Sequence, residues 1–254
     1  MKTAETVRLI TKADDVGSNH AANRAFYDAY KQGILRNGVI MTCCAGAEEA
    51  AALFRNEPGF TMGLHLTLNS EWERVKWGPV LPPGRVPSLV DGNGHFFQFP
   101  KQTRDNAPVL HEVMAELQAQ LDRARSLGLD IRFADAHMGF PWILDGLEDA
   151  IRRWCGDNGI LYNPSDYPEL PEAASTGDPV EQFLARLRAA KPGLYYMHMG
   201  HPAYDWPEMG KLGHEGYWDV APEREWDRLR LMDRRVVEYF RDNPVEAVQL
   251  PLGG

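Results

Sequence analysis

The chain reads as an α/β protein, a TIM-like (β/α) barrel of about seven parallel strands, and three observations predict it. Short apolar runs bounded by turn residues alternate with helical periodicities, as in βαβ units. Seven such runs recur along 254 residues, enough to favour closure over an open sheet. Polar residues able to do chemistry gather at the ends of these runs, where a barrel of this class keeps its site.

In order, the strand-like runs are VRLIT (7–11), GVIMTCC (38–44), TMGLHLTL (61–68), IRFADA (131–136), GILYN (159–163), LYYMHM (194–199) and VEAVQL (245–250). After Ser18-Asn19, either of which can cap, Ala22, Ala25, Phe26 and Ala29 share a helical face. Leu110, Val113, Leu117, Leu121 and Ala124 do the same in a second helix, whose Glu116 and Gln120 read as a solvated pair four residues apart. Pro222 opens one long final helix carrying Trp226, Leu229, Val236 and Phe240. No repeat or low-complexity linker interrupts the pattern, so residues 1–254 are expected to form a single domain. Residues 69–108 alone break the rhythm: rich in Pro, Gly and aromatics, they predict a long aromatic loop over one barrel end.

Composition narrows the function. The chain is 44% hydrophobic and 25% charged, with 27 Lys and Arg against 36 Asp and Glu, a formal charge of −9. A phosphate backbone would be repelled by the average surface, which argues against nucleic acid. No run approaches the ~20 apolar residues of a membrane span, and MKTAETVRLI lacks a secretory apolar stretch. A cytoplasmic protein without a membrane partner is expected, and a homodimer is compatible with the sequence. Cys43, Cys44 and Cys155 are an odd set, two of them adjacent in an apolar run, and read as buried thiols.

The strand ends supply the chemistry. The first run leads into Asp14 and Asp15, the third holds His65, the fourth ends in Asp135-Ala136-His137, and the sixth runs into His198 and His201. One carboxylate and two imidazoles from different strands make an open three-ligand site for a divalent cation. The doubled aspartate then has a reason: one carboxylate binds metal while its neighbour, facing the other way along the strand, stays free as a base.

The segments ADDVG, GLHLTL, VPSLVDGNGHF, AELQAQ, DAHMG and GHPAY resemble, in order and rough spacing, those of the YdjC-like carbohydrate deacetylases, relatives of the polysaccharide deacetylases. The resemblance implies that the barrel is a distorted one, and that the protein is a metal-dependent enzyme that hydrolyses the acetamido group of an N-acetylated sugar of N-acetylglucosamine type. It implies one divalent ion, Zn or Mg with Co, Ni or Mn as alternatives, on Asp15, His65 and His137. By position Asp14 is the base and His201 of HPAY the acid, with His198 its nearest competitor. Trp72 and Trp77, at the start of the long loop, either plug the barrel end or offer faces on which sugar rings stack. Two alternatives stay open: a metal-dependent hydrolase or isomerase acting on another small polar substrate, and a non-catalytic sugar-binding barrel.

Overall fold

In the computed structural model, residues 5–164, 167–175 and 177–251 are described. They form β1 (Val7–Val16), α1 (His20–Gln32), β2 (Asn37–Ile40), α2 (Ala47–Phe54), β3 (Thr61–Leu66), α3 (Pro100–Asp105), α4 (Leu110–Ser126) and β4 (Ile131–Ala136). There follow α5 (Leu147–Asp157), β5 (Leu161–Tyr162), α6 (Pro179–Ala189), β6 (Tyr195–Gly200), α7 (Val220–Met232), α8 (Arg234–Asp242) and β7 (Val245–Val248). All seven strands are parallel, in the order β5-β4-β3-β2-β1-β6 with β7 also paired to β1. The predicted α/β class and strand count hold, and the sheet is that of a distorted barrel.

The distortion has two sources. Along one edge, β1 pairs with β6 over Arg8–Ala13; along the other it pairs first with β7 over Val7–Ile10 and then with β2 from Lys12 onward. Asn37 closes that seam, its amide donating to Thr11 O at 2.9 Å and Val248 O at 3.1 Å. On the far side β5 and β6 do not pair, and the gap is crossed by the 167–170 segment, where Met197 N donates to Pro168 O at 2.9 Å.

Alternation along the strands sorts the layers. On β1, Leu9 and Ala13 face the helices, whereas Ile10 joins Val39, Phe133 and Leu250 in a small apolar cluster inside the sheet. Above this floor the same inward positions become polar: Lys12 and Asp14 on β1, His65 on β3, Asp135 on β4. Gly63 is needed at the floor, because a Cβ there would come within 2.7 Å of the Phe133 ring.

Helix α1 starts as expected, with Asn19 Oδ1 accepting from Ala22 N at 2.9 Å. The single long final helix is corrected to two: Asp233 takes an extended ψ of 142°, ends α7, and caps α8 by accepting from Arg235 N. Glu116 and Gln120 are not a solvated pair, since both are fully buried. Glu116 accepts from Val80 N and Leu81 N at 2.8 and 3.0 Å, while Gln120 exchanges hydrogen bonds with the Thr67 backbone. With Glu112, which accepts from Ser88, they clasp the long loop onto α4. Among the described residues no helix is long and apolar enough to cross a membrane.

Candidate metal centre

Asp14 and Asp15 do not face opposite ways. Asp15 sits at φ 75°, in the left-handed region that Asp tolerates better than most residues, and the β1–β2 register slips between Ala13 and Val16. The turn cancels one step of alternation, so both carboxylates are buried in one cavity. Their expected divergence along the strand is thereby corrected.

The structure brings Asp15, His65 and His137 together. Asp15 Oδ1 lies 3.4 Å from His65 Nε2 and 3.4 Å from His137 Nδ1, and the two nitrogens are 3.2 Å apart. Asp15 Oδ1 is buried without a hydrogen bond, an expensive state for a carboxylate oxygen unless a cation takes it up. Ligand atoms of a tetrahedral site with bonds of about 2.0–2.1 Å stand roughly 3.3 Å apart. The donor set therefore fits a divalent cation.

Each imidazole is oriented by a carboxylate on its far side. His65 Nδ1 lies 2.6 Å from Asp135 Oδ1, and His137 Nε2 lies 2.9 Å from Glu71 Oε2. With those nitrogens protonated and donating outward, the lone pairs of His65 Nε2 and His137 Nδ1 point into the triangle. Asp15 Oδ2 is held 3.0 Å from Arg224 of α7. Lys12 pairs with Asp14 at 2.7 Å and also with Asp135.

Charge counting reinforces the fit. Four buried carboxylates, Asp14, Asp15, Glu71 and Asp135, face two fixed cations, Lys12 and Arg224, so neutral imidazoles leave two negative charges over. The excess of carboxylates acts on the histidines: burial pulls both down, but Asp135 with Asp15 and Asp14 raises His65 to about 9, and Glu71 with Asp15 lifts His137 well above its usual value. Burial works against ionisation of Asp15 as well, but Arg224 and the two imidazoles hold it well below the usual carboxylate range. Asp14 moves the other way, because burial outweighs the pull of Lys12.

His201 reaches the same cavity from the loop after β6, its backbone N–H donating to Asp227 Oδ2 at 2.8 Å and its Nδ1 4.0 Å from that oxygen. His198 lies on the opposite face of β6, against Phe183 of α6 at 4.7 Å, and does not border the cavity. Trp72 forms part of the cavity wall but is 5% exposed, stacked on His214 at 6.3 Å. Trp77 stands behind the wall, its indole N–H donating to Asn69 O at 2.9 Å and its ring 6.5 Å from His137. His214 lines the cavity beside Tyr217.

Four residues of the centre escaped the sequence reading as partners. Lys12 had a signal, being a charge two residues before Asp14 within an apolar strand, and Asp135 had another, being two before His137 and in register with His65. Glu71 and Arg224 had none, because a loop and a late helix bring them in.

Fold and site together define an α/β-barrel protein with a buried Asp-His-His donor triad on its strand ends. Residues 8–175 match the YdjC-like protein family model, and the chain belongs to that family. It is 27% identical over 252 residues to a carbohydrate deacetylase of Thermoanaerobacter pseudethanolicus, covering 93% of this chain and 95% of that one. A chitooligosaccharide deacetylase of Serratia marcescens is 33% identical over 116 residues, 45% of this chain and 42% of that one. The fold also matches a crystal structure of an Enterococcus faecalis V583 protein with a TM-score of 0.75 at 20% identity, covering 96% of this chain and 98% of that one.

Proposed function

We propose that this protein is a metal-dependent hydrolase that removes the acetyl group from N-acetylated sugars of N-acetylglucosamine type. The observation that carries the reading is the Asp15–His65–His137 triangle with the Asp14 carboxylate beside it in one cavity. The deacetylases among the relatives supply the substrate class. Zn or Mg is the expected ion, and a cytoplasmic, single-domain protein the expected setting.

A divalent ion on this triad supplies Lewis-acid activation of water and of the amide carbonyl. The chain's own residues do the proton work. Asp14, with its proton affinity raised by burial, takes a proton from the attacking water. The water oxygen bonds to the acetyl carbon, and the C–N bond breaks as His201 gives a proton to the departing nitrogen, releasing acetate and the free amine. Lys12 keeps Asp14 and Asp135 apart as two anions sharing one cation. Trp72 borders the substrate, and Trp77 supports the wall behind His137.

An acetate-release assay on N-acetylated mono- and oligosaccharides, with single metals restored after chelation, tests this reading. Turnover that vanishes with chelation and returns with Zn or Mg is expected. Full turnover after complete metal removal, or no acetate from any sugar of the panel, overturns it.

A further inference from the structure

The tryptophan that offers most surface in the cavity is not Trp72 or Trp77, which are 5% and 7% exposed, but Trp142, which is 53% exposed and lines the cavity too. Trp142 follows His137 by five residues. Between them Met138 and Gly139 both take left-handed backbone, at φ 53° and 57°, which turns the chain sharply away from the triad. Phe140 is then fully buried and Ile143 nearly so, so the backbone on both sides of Trp142 is anchored. Pro141 fixes a further dihedral in between. The Arg104 guanidinium stands over the indole at 5.4 Å from its centroid, covering one face. What remains is a large aromatic face at a cavity mouth, carried on a stretch of backbone that its buried neighbours anchor.

The cavity of about 710 Å³ runs from the triad to this mouth, with Met138 and Met199 as further exposed apolar residues on its wall. This apolar surface shares its cavity with the triad, so a substrate held at the triad and extending outward would meet it. We propose that Trp142 is the platform on which the sugar ring next to the one being deacetylated stacks, so that this side chain is what an oligosaccharide gains over the monosaccharide. The proposal rests on the deacetylase reading. The chemistry agrees: pyranose rings carry apolar C–H faces that suit an indole, while the ring to be deacetylated must sit deeper, among the polar side chains.

The test compares N-acetylglucosamine with its β-1,4 trimer. In the metal-loaded Asp14→Asn protein, which binds without turning over, the trimer should bind at least tenfold more tightly than the monosaccharide. Adding Trp142→Ala should abolish that gain, and Trp142→Phe should retain most of it. In the otherwise native enzyme Trp142→Ala should raise KM for the trimer roughly tenfold more than for the monosaccharide. A parent with no gain from chain length, or a gain that survives Trp142→Ala, overturns the platform. Absence of acetate release, with a length gain that still depends on Trp142, leaves the platform standing and sinks the deacetylase reading instead.

Discussion

Neighbouring residues of a strand face opposite ways, and Asp14 and Asp15 share a cavity only because Asp15 adopts φ 75°. Asn tolerates that backbone as Asp does, so exchanging either for Asn changes charge without forcing the turn. Asp15→Asn is expected to lose bound metal while staying folded. Asp14→Asn is expected to keep its metal, measured by elemental analysis, and to lose turnover by about 10²–10⁴. The reverse pattern would exchange the two roles. Glu71 acts one step further out, orienting His137 through a 2.9 Å contact. Glu71→Gln should weaken metal affinity by about 10–100-fold in a chelator competition; an unchanged affinity would show that His137 is held well enough by its packing against Trp77.

At the scale of elements, the centre depends on a loop that has little regular structure and is fastened by a helix. The carboxylate of Glu116 and the amide of Gln120 on α4 hold Val80, Leu81 and Thr67, and this fixes the path of the segment carrying Glu71 and Trp72. Removing a buried acceptor leaves two backbone N–H groups unpaired. Glu116→Ala should therefore lower unfolding free energy by about 1–3 kcal/mol in urea titration and weaken metal binding as well. Stability loss without any change in metal affinity would separate the clasp from the site. From sequence, a Glu and a Gln four apart read as solvated because spacing reports that two side chains are neighbours, not what lies against them.

At the scale of the whole molecule, β5 and β6 do not pair, and on the outer face of β6 His198 sits against Phe183 of α6 with its Nε2 buried and unbonded. Burial, helped by Arg230 and Arg186 and only partly opposed by Asp227, lowers its pKa to about 4. An unfolded histidine titrates near 6.5, so the unfolded chain takes up the proton first as pH falls. The fold's preference for neutral His198 is thus harmless above about pH 6.5 and costs stability progressively from there down to about pH 4. His198→Gln should remove about 2 kcal/mol of the stability lost between pH 7 and pH 5, read as the difference between variant and parent in urea titration. Parallel pH profiles would place His198 in contact with water rather than with the core.

The sequence by itself determined the strand count and class, because apolar runs and their spacing are local properties that survive any packing. It also offered candidate donors, since the Asp14-Asp15 pair, His65 and His137 are residue types that bind a divalent ion and stand in or just after apolar runs, and the fold brings Asp15, His65 and His137 together. Tertiary structure decided the rest. The backbone turn at Asp15, not its neighbours in sequence, brought both aspartates inward. Asp233 split the last helix through a single extended ψ that no periodicity records. Glu71 from a loop and Arg224 from α7 came to the centre across long stretches of chain, and how much surface each tryptophan offers the cavity was settled by what packs against it. Periodicity fixes which face of an element is apolar; only the packed chain fixes what that face meets.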